Sequence, residues 1–223
     1  MKGVFNLRPP TPRYTATWDI QPVLQKLRSM HPVRELSLKD LTLKLVTLMA
    51  LTQAARVQTL HLLLLHGMDI TDDYISIPLG GTVKQCRPNF NISRMQFQAY
   101  SHDDSLCVCK TLLEYITRTK ALRHDDHQKV SKLFISINRP HAAVSKDTIA
   151  QWVKSLLCMA GVDTRIFKAG SVRPAAASKA KAMAVSLTCI MNKAGWSREY
   201  TFAKFYDKQI VTNSDLFQDA VLQ

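Results

Sequence analysis

Apolar residues recur every three or four positions between residues 36 and 65, LSLKDLTLKLVTLMALTQAARVQTLHLLLL. This period places them on one face of an α-helix, and Ser37 stands where a capping hydroxyl is expected. The pattern weakens between Thr52 and Ala54. We therefore expect two packed helices in this region.

The pattern changes to alternation between residues 68 and 101, MDITDDYISIPLGGTVKQCRPNFNISRMQFQAYS, where β-branched residues alternate with polar ones. Alternation with a period of two is typical of strands that bury one face. The Gly80-Gly81 pair predicts a tight turn between strands. A small antiparallel sheet should therefore follow the first helices.

Helical spacing returns in most of the remaining chain. It predicts a helix in 105–123, a helix in 144–163 that is capped by Ser145 and ends before Gly161, and three short helices in 167–208. The run KLFISI at 132–137 predicts a short strand. Residues 1–36 carry five prolines, which predicts an extended lead-in with room for one short helix. The whole pattern predicts an α+β, mainly α-helical fold.

The chain carries a large excess of positive charge. Its 223 residues include 30 Lys and Arg against 17 Asp and Glu, a formal net charge of +13. Each phosphate that such residues neutralise releases condensed counterions, so this charge favours a polyanionic partner. Nucleic acid is the first interpretation and an anionic membrane surface is the second.

The sequence gives no sign of export or membrane insertion. The N-terminus lacks the apolar core of a signal peptide, and the longest apolar run, LHLLLLH, is too short to span a bilayer. We expect a soluble, intracellular protein. Five cysteines without a C-x-x-C pair argue against a disulfide framework and a zinc ribbon, and predict reduced thiols: Cys86, Cys107, Cys109, Cys158 and Cys189.

Three basic residues stand where chemistry on a phosphate would need them. Arg56 lies in a largely apolar helical stretch, and Lys84 lies on the predicted hairpin. Arg173 lies in the first turn of a predicted helix, where Pro174 is tolerated and an anion is attracted. Each has a structural alternative: a paired or snorkelling arginine, an edge-strand lysine that deters aggregation, and a solvated helix-start arginine.

The segment AGWSREYTFAKFYDK, residues 194–208, offers a similar choice for its aromatic residues. Tyr206 is either a nucleophile or an aromatic residue packed under a surface helix, and the Trp196 indole N–H is able to donate a hydrogen bond.

The polar run 124–127, HDDH, is interpreted as a solvated loop, because its side chains do not share one face as metal ligands would. Motifs for a serine hydrolase, a phosphate-binding glycine loop and a zinc protease are absent, and we expect no cofactor.

The chain resembles the catalytic domain of tyrosine recombinases, the phage-integrase superfamily, in the order of five features. These are an arginine, a lysine, a small-x-x-Arg motif, a Gly-Trp pair and a tyrosine. The similarity is greatest to the recombinases of DIRS-like and Ngaro-like eukaryotic retrotransposons. It extends over nearly the whole chain through seven segments: KGVFNLRPPTPRY, LSLKDLTLKL, LTQAARVQTLH, LCVCKTLLEY, KLFISINRPHAAVSKDTIAQWVK, AGVDTRIFKAGSVR and AGWSREYTFAKFY.

This resemblance implies a mainly helical fold with a small antiparallel sheet, and it gives each candidate a role. Arg56 and Arg173 would clamp the scissile phosphate, Lys84 would protonate the leaving 5′ oxygen, and Trp196 would support the phosphate. Tyr206 would form a 3′-phosphotyrosyl link, a reaction that needs neither ATP nor metal. We expect further contacts to the DNA backbone from four basic residues: Arg87, Arg139, Lys146 and Lys168.

Two positions depart from the family pattern. The histidine of the H-x-x-R motif is replaced by Gly170, and the acidic residue three after the first arginine is replaced by Thr59. Loss of one oxyanion donor typically slows a reaction by about a hundredfold to a thousandfold. We therefore expect an impaired recombinase. One alternative is an inactive, recombinase-derived DNA-binding protein, and another is an unrelated basic RNA-binding protein.

The resemblance also divides the chain into a lead-in at 1–36, a catalytic domain at 37–208 and a tail at 209–223. It begins at the linker that follows the family's core-binding domain, so we expect lower DNA affinity than in a longer member. We expect the apolar tail to dock on a neighbouring copy, with folding back on its own domain as the alternative. The family further implies double-stranded DNA as partner, a synaptic homotetramer and a nuclear location, with no membrane.

Overall fold

Helices make up most of the ordered elements, as the apolar spacing predicts. The computed structural model describes residues 11–83, 92–123, 131–196 and 199–211. In chain order the elements are β1 (Ala16–Trp18), α1 (Gln21–Ser29), α2 (Leu38–Thr52), α3 (Val57–His61), β2 (Asp69–Ile70), β3 (Tyr74–Pro78), β4 (Arg94–Gln98), α4 (Val108–Thr119), α5 (Lys146–Met159), α6 (Val172–Ala182), α7 (Leu187–Ala194), α8 (Glu199–Phe205) and β5 (Gln209–Val211). The α+β, mainly helical class is confirmed.

Helix α2 forms the centre of the main core. All of its residues from Leu41 to Leu51 are buried, and it packs against α4, α5 and α6. Its start is capped as predicted, because the Ser37 hydroxyl accepts the N–H of Asp40. The predicted break before α3 is also confirmed. A helix that is buried all round needs neighbours on every side, and the other helices supply them.

The predicted cap and end of α5 are also confirmed. The Ser145 hydroxyl accepts the N–H of Thr148, and the chain turns after the helix at Gly161, whose φ of 82° is left-handed. The last third of the chain contains the three expected short helices, α6, α7 and α8. Capping residues therefore located α5 well, and apolar spacing predicted the three helices that follow it.

The antiparallel sheet has the strand order β2-β3-β4, but the predicted tight turn at Gly80-Gly81 is wrong. Strand β3 ends at Pro78 and β4 begins only at Arg94. Gly80 packs closely against the segment after α3. A Cβ added at Gly80 would lie 2.7 Å from a methyl carbon of Leu64 in that segment. Position 80 therefore needs a glycine because two segments of the chain approach closely there, and not because it forms a turn.

The strand predicted at 132–137 is also wrong, because this segment divides its hydrogen bonds between two partners. The N–H of Leu133 donates to the carbonyl of Leu63, whereas Ser136 donates to Ala142. The result is two isolated bridges, Leu64 with Lys132 and Ile135 with Ala143. The apolar alternation is real, but no single neighbour runs beside the whole segment.

A second, parallel sheet joins the two ends of the described chain, which the sequence did not predict. Strand β1 of the lead-in pairs with β5, the first part of the predicted tail, with Thr17 opposite Ile210. The Trp18 side chain enters the main core, and its indole N–H donates to Ser171 at 2.8 Å. Residues 212–223, the rest of the tail, lie outside the described residues. Among the helices described, none is both long enough and apolar enough to cross a membrane.

Lys44 is a fully buried cation on α2. Its ammonium group donates to the carbonyl oxygens of Leu27, at 2.9 Å, and Met30. These carbonyls lie at the C-terminal end of α1, where helical carbonyls lack intrahelical partners. Loss of hydration lowers the pKa of Lys44 from 10.5 to about 8, and the nearby charge of Asp103 opposes this shift. The lysine therefore joins two helices at an electrostatic cost.

We predict that Lys44→Met changes how stability depends on pH. The pKa of Lys44 is lower in the folded state, so the unfolded chain binds more protons between about pH 8 and 10.5. The contribution of Lys44 to stability therefore increases as pH rises through this window. The difference in free energy of unfolding between the variant and the unaltered protein should change by about 3 kcal/mol across it. Urea titrations at several pH values measure this. A constant difference would contradict the prediction.

Candidate active site

Arg173 is the buried centre of the candidate site. It is the second residue of α6, as the prediction of a helix-start arginine requires, but it is 4% exposed and not solvated. Its Nη1 donates to the carbonyl of Ala54 at 2.7 Å, and its Nη2 donates to the carbonyl of Ala194 at 2.6 Å. The guanidinium thereby connects the segment after α2 to the end of α7. Its Nε is buried without a hydrogen-bond partner among the described residues.

Arg56 lies close to Arg173 at the start of α3. It occupies the N-cap position, just after Ala54, whose φ of 42° turns the chain sharply between α2 and α3. The Arg56 side chain is half-buried, and its Nη1 is buried without a partner in the described ranges. Its charge lowers the pKa of Arg173, so the two guanidinium groups lie near each other although they belong to different helices.

Trp196 and Tyr206 complete the cluster. Gly195, with a left-handed φ of 67°, ends α7 and allows Trp196 to turn back over it, where its main-chain N–H donates to Met191. The Trp196 and Tyr206 rings stack with centroids 4.2 Å apart. The Arg173 Cζ lies 4.5 Å from the Trp196 ring centroid and 5.3 Å from that of Tyr206. The Trp196 Nε1 is a third buried donor with no partner among the described residues.

The electrostatics of this cluster favour an anion. Loss of hydration and the charge of Arg56 lower the pKa of Arg173 to about 10, while Tyr206 acts in the opposite direction. In the part of the chain that the structure describes, no carboxylate forms an ion pair with either arginine. Two neighbouring guanidinium groups without a counterion are costly in a protein interior, and a bound anion would reduce that cost.

The main chain of Tyr206 is held by α6, the helix that carries Arg173. The Ser178 hydroxyl donates to the carbonyl of Tyr206 at 2.8 Å and accepts the N–H of Lys208 at 3.0 Å. Lys181, on the same helix, forms an ion pair with Asp207. The sequence analysis missed these residues, because the alanine-rich sequence of α6 indicates only a strong preference for helix. Their only local signal is that Ser178 and Lys181 lie three residues apart and so are neighbours on one face of α6, which does not indicate Tyr206 as the partner.

The two departures from the recombinase pattern lie on the elements that carry the arginines: Thr59 on α3, which begins after Arg56, and Gly170 just before α6, which carries Arg173. Thr59 is buried on α3, and it lines, with Arg173, a cavity of about 210 Å³. Gly170 precedes α6, and a Cβ built on it would have no other atom within 4 Å. The space that a histidine side chain would enter is therefore open. Lys193 of α7 also lines the cavity, and burial lowers its pKa.

The other predicted residues stay outside the cluster or outside the description. Lys84 and Arg87 lie outside the described residues, as does the polar run 124–127. The remaining predicted DNA contacts are all exposed: Arg139, Lys146 and Lys168. Their accessibility suits a polyanion, but their contact with DNA stays a prediction. The described residues contain no group of three or more His, Cys, Asp or Glu side chains placed to hold a metal ion.

Solved structures identify the fold. The crystal structure of XerA recombinase aligns over 98% of this chain and 67% of its own, with a TM-score of 0.62 and 16% identity. A XerH site-specific recombinase bound to its difH substrate aligns over 93% and 52%, with a TM-score of 0.61 and 12% identity. A lambda integrase dimer bound to a COC′ core site aligns over 96% and 67%, with a TM-score of 0.55 and 13% identity.

This chain has the fold of a tyrosine recombinase catalytic domain. The predicted recombinase fold is therefore confirmed. The chain spans about half the length of the XerH structure and two thirds of that of XerA. No protein-family model and no curated protein matches the sequence.

We predict that the three unpaired donors bind a tetrahedral anion. Sulfate should raise the melting temperature of the protein with a saturable dependence on concentration. Trp196→Phe removes one donor and should raise the half-saturating sulfate concentration by about tenfold or more, because a hydrogen bond to a charged group contributes about 1.5–3 kcal/mol.

The matched control is Trp152→Phe, which alters a tryptophan of the main core on α5. Sulfate also stabilises proteins non-specifically through exclusion from their surface, and this control retains that effect. Thermal denaturation at constant ionic strength measures both variants. Equal half-saturating concentrations for the two variants would show that the Trp196 indole does not bind the anion.

Proposed function

We propose that this chain is a catalytic domain that cleaves and rejoins double-stranded DNA through a covalent tyrosine intermediate. Tyr206 is the nucleophile, Arg56 and Arg173 hold the scissile phosphate, and Trp196 donates to it. Lys84 donates the proton to the departing 5′ oxygen. The protein acts as a homo-oligomer, a synaptic tetramer, on DNA. Its role is the recombination of a DIRS-like or Ngaro-like mobile element in the nucleus.

The observation that carries this proposal is the contact of Arg173 with two rings: its Cζ lies 4.5 Å from the centroid of Trp196 and 5.3 Å from that of Tyr206. The charge of Arg56 acts on the same guanidinium. Three donors of these residues are buried without a partner among the described residues: Arg56 Nη1, Arg173 Nε and Trp196 Nε1. Each such donor costs about 1–3 kcal/mol if it remains unsatisfied. A phosphodiester supplies acceptor oxygens with negative charge. The stack of Tyr206 on Trp196 keeps the phenol within the same group of side chains. Structures of similar fold, a XerH recombinase bound to its difH substrate and a lambda integrase dimer bound to a COC′ core site, support the same chemistry.

The residues account for the reaction without a cofactor. The Tyr206 hydroxyl gives up its proton to solvent, and its oxygen forms a phosphorus–oxygen bond as the bond to the 5′ oxygen breaks. The number of phosphoester bonds is therefore conserved. Negative charge increases on the non-bridging oxygens in the transition state, where fixed guanidinium groups stabilise it. The leaving oxygen needs a proton, and Lys84 is the donor that we assign. A strand hydroxyl then reverses the step and restores the phosphodiester.

The basic surface supplies the affinity for DNA in this proposal. With a net charge of +13, the chain attracts a polyphosphate backbone irrespective of base sequence. Arg139, Lys146 and Lys168 are exposed and able to reach phosphates. Backbone contacts position a duplex but do not select a sequence, so target choice depends on other contacts.

We predict that the protein forms a covalent adduct with nicked DNA and that Tyr206→Phe does not. The substrate is a pool of duplexes with random sequence around a nick, so that a short cleaved strand diffuses away and traps the adduct. Denaturing electrophoresis and mass spectrometry detect the tyrosine-linked product. The variant should still retard DNA in native gels, because it keeps all the basic residues.

Tyr200→Phe is the matched control. Tyr200 lies on α8, six residues before Tyr206, and is 67% exposed. This variant should form adduct at the original rate. An adduct that persists in Tyr206→Phe would assign the nucleophile to another residue. DNA retardation without any adduct in the unaltered protein would support the second candidate function.

That second candidate is a recombinase-derived DNA-binding protein that no longer cleaves. It is favoured by Gly170, because a glycine cannot donate to a phosphate oxygen through a side chain. Thr59, in place of an acidic residue, removes a charged partner for the neighbouring arginine. Neither change affects the positive charge that binds the DNA backbone, so binding would survive where cleavage does not.

We predict that Gly170→His increases the rate of adduct formation by at least about tenfold. One oxyanion donor typically contributes a hundredfold to a thousandfold, and the site around Gly170 is open to a side chain. The control is Gly170→Ala, which adds the Cβ without an imidazole and should give no gain. Single-turnover measurements on the nicked pool compare them. Equal rates for the His and Ala variants would show that an imidazole at this position does not assist cleavage.

A further inference from the structure

Two cysteines lie together at the start of α4, far along the chain from the residues of the candidate site. Cys107 occupies the N-cap position and Cys109 follows in the first helical turn. They are 1% and 6% exposed, respectively. Both nevertheless line a cavity of about 470 Å³, whose rim includes the exposed side chains of Ile70, Tyr100 and Leu113. The two cysteines therefore share one cavity wall.

The surroundings of the two sulfurs differ. The Cys107 Sγ accepts the main-chain N–H of Tyr100 at 3.4 Å and lies at the N-terminus of a twelve-residue helix, where negative charge is favoured. The Cys109 Sγ lies 3.4 Å from the carbonyl oxygen of Phe97. Its single S–H is able to donate either to this oxygen or to the Cys107 sulfur. One sulfur is therefore placed to carry charge and the other to carry a proton.

Hydrogen bonds to the pair reinforce this difference. A hydrogen bond from the Cys109 thiol, together with main-chain N–H groups of Lys110, Tyr100 and Cys109, lowers the pKa of Cys107 to about 5 against the opposing effect of burial. The same contact, burial and the charge of Cys107 raise the pKa of Cys109. Lys110 forms an ion pair with Asp104 at the rim of the cavity, and Asp72 also lines it.

We infer that Cys107 and Cys109 form a peroxide-sensitive modification site, in which Cys107 is the attacking thiolate and Cys109 is the resolving thiol. A thiolate that has an adjacent thiol is the arrangement that oxidation to a disulfide requires. Hydrogen peroxide is small enough to enter the cavity that both residues line. This inference does not depend on the DNA chemistry proposed above.

The oxidation balances in two steps. The Cys107 thiolate attacks one peroxide oxygen, the O–O bond breaks, and the departing hydroxide takes up a proton to give water and a sulfenic acid. The Cys109 sulfur then attacks the Cys107 sulfur as its own proton leaves, the S–O bond breaks, and a second water forms. Two thiols lose two electrons to one peroxide and become one disulfide.

Disulfide formation would alter the contacts between α4 and the antiparallel sheet. The S–H of Cys109 no longer exists to donate to Phe97 of β4. The neighbouring strand residue Gln96 accepts a hydrogen bond from Gln53, and both residues line the cavity beside Arg173. Oxidation thus acts on a strand that extends towards the candidate active site.

The test uses full-length protein in which the other three cysteines are replaced by serine: Cys86, Cys158 and Cys189. Treatment with stoichiometric hydrogen peroxide should remove two hydrogen atoms from the mass of this protein. With Cys109→Ser added, the product should instead be a sulfenic acid that dimedone traps. With Cys107→Ser added, neither product should form, and serine keeps an oxygen that is able to cap α4. Melting temperatures verify that each variant is folded.

The pH dependence of alkylation distinguishes a reactive pair from thiols that are oxidised without selectivity. Three rates of reaction with iodoacetamide are compared. Two are measured at Cys107, in the Cys109→Ser variant and in the two-cysteine protein, and the third is that of a free cysteine derivative. In the two-cysteine protein the rate should level off above about pH 6, while the free thiol rate increases to about pH 8.5. A rate that rises in parallel with the free thiol, or a mass unchanged by peroxide, would overturn the inference.

Discussion

The Arg173 guanidinium donates to two main-chain carbonyl oxygens from distant parts of the chain, those of Ala54 and Ala194. It is a buried cation held by neutral acceptors, so its charge remains available to a ligand. The contact also fixes geometry, because Ala54 leads into α3 and Ala194 ends α7. Arg56 and Trp196 each follow one of these carbonyls by two residues. One side chain thus sets the distance between the groups that would bind a phosphate.

A small hydrophobic cluster beside the main core supports this arrangement. Its buried members are mostly small or aromatic: Ala54, Ala177, Ile190, Ala194, Trp196 and Phe202. Alanines allow close approach of the helices, while the aromatic rings fill the remaining space, and that of Trp196 contacts Arg173. Tyr206 packs at the edge of this cluster, and its main chain is tied to Ser178 of α6. The phenol is therefore attached to the same helix as the guanidinium, although it follows a different helix in the chain.

Local signals in the sequence predicted most of the fold, and non-local contacts explain the errors. Serine caps and apolar spacing located the helices, because these features act within a few residues. Gly80 was misinterpreted because its cause, the Leu64 side chain, lies sixteen residues away. The pairing of β1 with β5 joins residues that are almost two hundred positions apart, and no short-range pattern encodes it. The same limit applies to the site: its arginines and aromatic residues were found by motif, whereas Ser178 is recognisable only once α6 and Tyr206 are seen together.

The two departures from the recombinase pattern separate DNA binding from DNA cleavage on physical grounds. Binding of a phosphodiester requires positive charge and donors, and Arg56, Arg173 and Trp196 retain both. Cleavage also requires that donors match the charge of the transition state better than that of the ground state. An imidazole at position 170 would add such a donor without altering net charge in its neutral form. A site that keeps its arginines but has a glycine there should therefore lose rate before it loses affinity, and the open space around a Cβ built at Gly170 leaves room for a side chain to be added there.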